Sequence, residues 1–518
     1  MSTLLPRVRV AARQAARPSS TKPCASRPSL SRARMTTSAS TVSNLLDSKP
    51  DASVGNVRIE GYVRSVRAQK RHHFVSLGDG SSLESLQAVV PADQAEGLTI
   101  GAAVRLDGSW VPSQGHRQSH ELQVTQATVL GPSDAKTFPL QKKYQTPEYL
   151  RTLPHLRLRI PFNSAVLRFR SAFIASLTTF FNARQYIQTH TPILTSSDCE
   201  GAGEVFHVLT SNELRAATAD RTKPFFRRQV YTTVSAQLHL EALAQGLGNV
   251  WTLSPTFRAE QSDTTRHLSE FYMLEAEMSF TNSLGSVMDL LEQMLKGVAA
   301  DLADSNVVAE ILRSTSDRSV DLTPVEQVQQ RWSGLTQESW PRITYTEAIR
   351  MLEAADVPFV HRLSWGDDLH TEHEKYIAAR VGRGSSPVFV THYPRAIKAF
   401  YMKASGADVE SSSTSDTVEC FDLLVPDFCE IAGGSMREHR LEHLEKSMRR
   451  NGIGSATRSS SEANAENNLD WYLDLRRWGC PPHGGFGLGF DRLMCYLTGI
   501  QTIHDTTAFP RWYGRCDC

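Results

Sequence analysis

One charged hairpin constrains this chain more than anything else in it. Phe257-Arg258-Ala259-Glu260 closes a run of strand-compatible residues. After a short polar gap, Arg266-His267-Leu268-Ser269-Glu270-Phe271 leads into a second run, Met273-Leu274-Glu275-Ala276-Glu277. A surface strand rarely holds this many charges of both signs, whereas a nucleotide site needs them to meet phosphates and a base edge. A salt-bridged exposed hairpin is the other reading.

Two later stretches add to it. Glu430-Ile431-Ala432-Gly433-Gly434-Ser435-Met436-Arg437-Glu438 sets adjacent glycines, which let a backbone approach a ligand closely, between a carboxylate and a guanidinium. Such a pair offers a metal ligand and an anion or amide partner. Gly484-Gly485-Phe486-Gly487-Leu488-Gly489-Phe490-Asp491-Arg492-Leu493 reads as a glycine-rich strand running into an amphipathic helix, with Arg492 at the junction. It lacks the Lys-Ser/Thr of a Walker A loop and opens no βαβ unit, so alone it says little.

The rest of the 518 residues supplies a frame. Residues 37–54 are rich in Ser, Thr and Asp and read as linker. Short β-type runs follow at Val57–Val66, His73–Leu77, Leu86–Val90 and Ala103–Val111, with Gly78-Asp79-Gly80-Ser81 as a hairpin turn signal. Several short strands in about 75 residues suggest a small closed barrel, with an OB-fold as the natural candidate. Arg64, Arg67, Lys70, Arg71, His72 and His73 gather charge around Phe74. That suits a groove following a phosphate backbone while stacking an unpaired base. A solvated turn with Phe74 in the barrel core fits the residues equally well. Residues 132–161 form a proline-punctuated connector. Val166, Phe169, Phe173, Ile174, Leu177, Phe180 and Phe181, then Val287, Leu290, Leu291, Met294, Leu295 and Val298, recur at helical spacing and predict two amphipathic helices. Residues 405–417 and 455–468 read as loop insertions without an assigned role.

Charge is placed unevenly. Residues 1–34 carry eight Arg and Lys and no acidic residue, so removing them from the net charge of +1 leaves about −7. An Arg- and Ser-rich, acid-poor start reads as a mitochondrial transit peptide over 1–36. A basic arm touching RNA is the alternative. Initiation at Met35 would give a second, cytosolic form. The eight cysteines are scattered, with no Cys-x-x-Cys pair, which disfavours structural zinc and a disulfide scaffold. No run of eighteen apolar residues occurs, so no membrane helix is expected.

Taken in order, the charged hairpin and the two glycine-bearing stretches resemble motifs 2 and 3 of the class II aminoacyl-tRNA synthetases. The long helix ending at Tyr186-Ile187-Gln188-Thr189-His190-Thr191-Pro192 resembles motif 1, the family's dimer interface. The resemblance covers residues 55–511. It implies an α+β fold, with a mostly antiparallel catalytic sheet flanked by helices over 162–518. An N-terminal OB-fold over 55–131 would read the anticodon, and 132–161 would be a hinge. Three features resemble the asparaginyl rather than the aspartyl form. These are Asp198-Cys199-Glu200-Gly201-Ala202-Gly203-Glu204, Leu240 where aspartyl enzymes typically place lysine, and the Gly484–Phe490 pattern.

By the same resemblance, the reaction is ATP-dependent asparagine activation followed by transfer to tRNA(Asn), in a homodimer. Arg258 would clamp the α-phosphate, and Glu260 would read the adenine amino group. Phe271 and Arg492 would sandwich the adenine, with His267 near the terminal phosphates. Asp422 and Glu430 would hold Mg²⁺, with Ser435 nearby. Glu200, Gln237, Glu275 and Arg437 would bind the amino acid, with Arg437 on the side-chain amide oxygen. Glu275 would take either the amide nitrogen or the α-ammonium group. An amide needs both a donor and an acceptor, and the carboxylate would also repel aspartate. Phe74 and Gln87 match positions that contact an anticodon base. The family's usual Phe-Pro-Arg-x-Pro-Gly ending is replaced after Phe509-Pro510-Arg511 by Trp512-Tyr513-Gly514. Ala236 stands where glycine or proline is common, with little effect expected. An aspartyl enzyme and a non-charging RNA-binding paralogue are the rival readings.

Overall fold

The computed structural model describes residues 40–115, 118–196, 205–216, 225–317, 322–406, 416–453 and 469–518. The segment expected to be a transit peptide, Glu200 and most of both expected insertions lie outside these residues.

Five strands close a barrel in the order β1-β2-β3-β5-β4: β1 (Val54–Ala68), β2 (His72–Gly78), β3 (Leu86–Pro91), β4 (Ala103–Pro112) and β5 (His120–Gly131). Alternation decides which side chains enter. On β4, Val104, Leu106 and Trp110 are buried, while Arg105 and Asp107 face outward. Val75 and Leu77 of β2 join the same core, which leaves Phe74 outside it.

The linker expected over 37–54 contains a helix, Val42–Asp47. Thr41 caps it, accepting from the Asn44 amide at 3.2 Å, and Val42 and Leu45 enter the barrel core. Its polar composition concealed two apolar positions one turn apart. The expected turn at 78–81 proves to be the start of a longer β2–β3 loop. There Asp79 accepts from the Val42 amide at 2.9 Å, tying helix to barrel.

The second unit is an eight-stranded sheet with β6 (Ile187–Gln188), β9 (Val250–Phe257), β10 (Glu270–Ser279), β11 (Arg342–Thr344), β12 (Val388–Thr391), β13 (Cys420–Val425), β14 (Cys429–Met436) and β15 (His483–Gly489). A small pair, β7 (Leu194–Thr195) with β8 (Tyr231–Thr232), lies apart from it. The sheet order is β11-β12-β13-β14-β15-β10-β9-β6, and only β11/β12 and β6/β9 run parallel. Both predicted apolar stripes fall on long helices, Pro161–Ala183 and Leu284–Leu302. Their buried faces pack with Trp251, Leu274, Phe486 and Leu488 of the sheet in one core, where Phe181 stacks on Trp251 at 4.6 Å. One face of the sheet is thereby fixed to these helices. The other holds a polar cleft.

Candidate active site

The central strands show why β15 is glycine-rich. Glu277 of β10 pairs with Gly485, and Glu275 with Gly487. A Cβ at Gly485 would stand 2.1 Å from Glu277 Oε2. Glycine here makes room for a buried carboxylate. The cleft above takes in Gln237, Arg258, Glu260, His267, Phe271, Glu275, Asp422, Glu430, Arg437 and Arg492. Ten of the expected residues, far apart in sequence, thus share one cleft.

At one end, Arg258 follows β9 and its amide donates to the Ser269 carbonyl at 3.0 Å. Its guanidinium carbon stands 5.6 Å from the Phe271 ring centre, and Glu260 lies 4.0 Å from the same guanidinium. His267 Nε2 is 3.5 Å from Glu260, and its Nδ1 meets the Thr264 and Ser262 hydroxyls at 2.5 and 3.1 Å. Arg492 heads the helix Phe490–Thr498 and donates to the Glu430 carbonyl at 3.0 Å. These planar and cationic groups line a slot suited to a purine and its phosphates.

In the middle, Asp422 on β13 lies opposite Gly433 on β14. A Cβ at Gly433 would sit 3.3 Å from both Asp422 Oδ1 and Glu430 Oε1, so glycine leaves open the space between the two carboxylates. Burial, then the Asp422 charge, pushes the Glu430 carboxyl above its ordinary range. Burial, Glu430 and Asp422 likewise push Glu374 up to about 7. Carboxylates crowded enough to resist ionisation are a donor set that fits a hard cation. Among the described residues no group of three or more His, Cys, Asp or Glu could hold a metal unaided. Two carboxylates plus substrate phosphates are what Mg²⁺ commonly uses. Lys398, which sequence reasoning missed, sits 2.8 Å from Asp422 Oδ2.

Ser435 is placed differently from expectation. It lies on β14 two residues beyond Gly433, outside the cleft lining, and its hydroxyl accepts from Arg437 Nη1 at 2.8 Å. It belongs with the Arg437 end because strand rise carries it past the carboxylate pair.

That end is built from buried charge. Arg437 is 3% exposed and gives Nη2 to Glu277 Oε2 at 3.0 Å. Behind it stand Glu241, Arg476, Tyr472 and His483, all buried. Arg476 and Tyr472 donate to Glu241 Oε2 at 2.6 and 2.7 Å, and His483 Nε2 lies 3.1 Å away. Burial opposes the charge on Glu241, but Arg476, His483 and Arg437 outweigh it and hold the carboxyl low. Burial opposes charge on His483 too, yet Cys480, Glu241 and Glu277 push it up to about 10. Gln237 joins this group through Nε2 to Glu241 Oε1 at 3.1 Å. None of these four supporting residues was singled out from sequence. Glu277 alone left a trace, two residues from Glu275 and so on the same strand face.

Glu275 is gripped by the Ser235 hydroxyl at 2.5 Å and the Ala236 amide at 2.9 Å. The donor at position 236 is a backbone N–H, which glycine would also supply. Alanine keeps an N–H that proline would lack. Leu240 is buried and lines the cleft at this end, so an uncharged side chain stands where the aspartyl form would place a lysine. The divergent C-terminus is anchored: the Arg511 backbone pairs antiparallel with that of Glu270, its carbonyl accepting from the Ser269 amide at 2.8 Å, and Trp512 stacks on His504 at 4.3 Å.

On the barrel, Phe74 and Gln87 share the outer face of β2 and β3, where Ser76 pairs with Gln87 and Phe74 with Val89. The alternatives left open by the sequence thus resolve to an outward ring, with Arg67 4.6 Å above it. Gln87 donates to Glu121 at 3.1 Å.

Residues 146–513 match the tRNA synthetases class II (D, K and N), and residues 57–130 match the OB-fold nucleic acid binding domain. The chain belongs to the class II tRNA synthetases. It is 39% identical over 496 residues to the mitochondrial asparagine–tRNA ligase of Saccharomyces cerevisiae, covering 92% of this chain and 96% of that one. It is 41% identical to the asparagine–tRNA ligase of Nostoc sp., covering 90% and 96%. The asparaginyl-tRNA synthetase of Pyrococcus horikoshii complexed with asparaginyl-adenylate superposes with a TM-score of 0.76 at 27% identity, over 93% of this chain and 99% of that chain. Within the class, the chain belongs to the asparagine–tRNA ligase family.

Proposed function

We propose that this chain activates L-asparagine with ATP and esterifies the product to tRNA(Asn) in mitochondria. The substrate carboxylate attacks the α-phosphorus and pyrophosphate leaves. A terminal ribose hydroxyl of the tRNA then attacks the adenylate carbonyl and AMP leaves. No protein nucleophile is needed, so the enzyme's work is alignment and charge stabilisation. Arg258 holds the α-phosphate, Phe271 and Arg492 sandwich the adenine, Glu260 accepts from its amino group, and His267 meets the terminal phosphates. Asp422 and Glu430 would hold Mg²⁺, which when bound supplies positive charge to the phosphates.

Arg437 donates to the side-chain amide oxygen, while Glu275, Gln237 and Glu200 take the remaining polar groups. The single observation that carries this reading is Arg437 itself, buried and fixed by Glu277 and Ser435 in the cleft that also holds Phe271 and Arg492. Charging of a tRNA(Asn) transcript with labelled asparagine tests it; failure to form the ester at any ATP and Mg²⁺ concentration overturns it.

The barrel, 55–131, reads the anticodon through Phe74 and Gln87; 132–161 is the hinge and 162–518 the catalytic unit. The protein works as a homodimer, supported by the sheet's outer strand β6 and the half-exposed Ile187, Ile193 and Leu194 beside it. Residues 1–36 direct it to the matrix and initiation at Met35 yields a cytosolic form; fluorescent fusions with and without 1–36 separate the two.

A further inference from the structure

The long helix Pro161–Ala183 lies between barrel and catalytic sheet, and two arginines on it face opposite ways. Arg168 and Arg170 are two residues apart, which sets them roughly 200° apart around the axis.

Arg168 turns to the barrel. One arm donates to the Gly80 carbonyl, and the other meets Glu310 Oε2 at 2.6 Å. Glu310, on the helix Asn306–Asp317, in turn accepts from the Leu83 amide at 2.8 Å. Gly80 and Leu83 belong to the loop joining β2 to β3, the strands that carry Phe74 and Gln87. The side chains of Arg168 and Glu310 are 22% and 9% exposed, so the clamp is largely shielded from solvent.

Arg170 turns to the catalytic sheet, where it pairs with Asp491, which itself lines the cleft. The other Asp491 oxygen accepts from the Tyr272 amide at 2.8 Å. Tyr272 adjoins Phe271 and Asp491 adjoins Arg492. One carboxylate thus ties both walls of the adenine slot to the helix that grips the barrel loop.

We propose that Arg168 and Glu310 are positioning residues that transmit anticodon occupancy on the barrel, through the helix Pro161–Ala183, to the geometry of the adenine slot. The inference rests on the barrel being the anticodon reader. A base seated on Phe74 and Gln87 shifts the β2–β3 loop, the clamp moves the helix, and Arg170 carries the movement to Asp491. The nearby pair Arg313–Glu84, 3.1 Å apart but 57% and 55% exposed, also links loop to helix, and a screened surface pair transmits little.

The test compares a tRNA transcript of native anticodon with one altered at a single anticodon base, using the full chain. Arg168→Ala and the shape-preserving Glu310→Gln are each expected to lower kcat for the native transcript on the order of tenfold. ATP–pyrophosphate exchange and transcript Kd stay within about twofold, so preference for the native anticodon shrinks in kcat. The double variant is no worse than either single one, and Arg313→Ala changes nothing. Retained kcat discrimination in both variants, or exchange lost in step with charging, overturns the proposal alone. A wild-type enzyme indifferent to the anticodon removes the barrel as reader, and the proposal with it, before any variant is made.

Discussion

Arg437 stands in the cleft already oriented, its Nε and Nη2 on Glu277 and its Nη1 on Ser435. A guanidinium held in this way loses little freedom on meeting an amide oxygen, whereas lysine offers the same charge from a flexible point. Arg437→Lys is expected to lower kcat/KM for asparagine about a hundredfold, or ~2.7 kcal/mol, with KM for ATP unchanged. His483 gives a pH signature. Its folded pKa of about 10 lies above the ordinary histidine value. The stability it contributes is therefore complete below about pH 6.5 and lost as pH rises through 10. Melting temperature should fall across that window, and His483→Gln should flatten the slope. Arg258, Glu275 and Arg437 stood out in the sequence through the resemblance to the family's ordered motifs, and the fold brings them into one cleft. The partners of Arg437 were not. His483 and Glu241 are separated by 242 residues, and only the docking of helix on sheet brings them together.

Elements were legible where periodicity is strong and hidden where a short segment depends on its neighbours. The barrel strands follow period two and the long helices period 3.6, so each buries the face its pattern predicts. The six-residue helix Val42–Asp47 forms because the barrel covers Val42 and Leu45, and composition alone reads as linker. The outer face of β2 and β3 makes its own prediction. With Phe74 beside the barrel core rather than in it, Phe74→Ala should leave barrel stability and pyrophosphate exchange nearly intact. It should raise KM for tRNA by about tenfold, at the low end of the 1–3 kcal/mol that stacking a base contributes. A large fall in melting temperature would return the ring to the core.

At the scale of the molecule, the chain joins a nucleic-acid barrel and a catalytic sheet through a connector whose Arg157 is buried against Asp505 and the carbonyls of His504 and Thr507. The sheet ends at β6, whose Ile187 is 43% exposed, and Leu194 of the small pair is 44% exposed. An edge with apolar side chains invites pairing with a second copy. Ile187→Asp should shift the protein to monomer in light scattering and reduce charging with it; a wild-type monomer would remove the basis for that prediction. Which faces remain uncovered is a property of the assembled sheet, and the sequence hints at it only through the resemblance of the 186–192 stretch.

The substrate assignment turns on whether the cleft prefers an amide to a carboxylate, through Arg437 and Glu275 and without a lysine at position 240. ATP–pyrophosphate exchange by the mature chain, with asparagine and aspartate compared under the same conditions, tests it most directly. Exchange with asparagine and none above background with aspartate is the predicted result. Exchange with aspartate at a comparable rate would contradict the substrate assignment while leaving the fold intact.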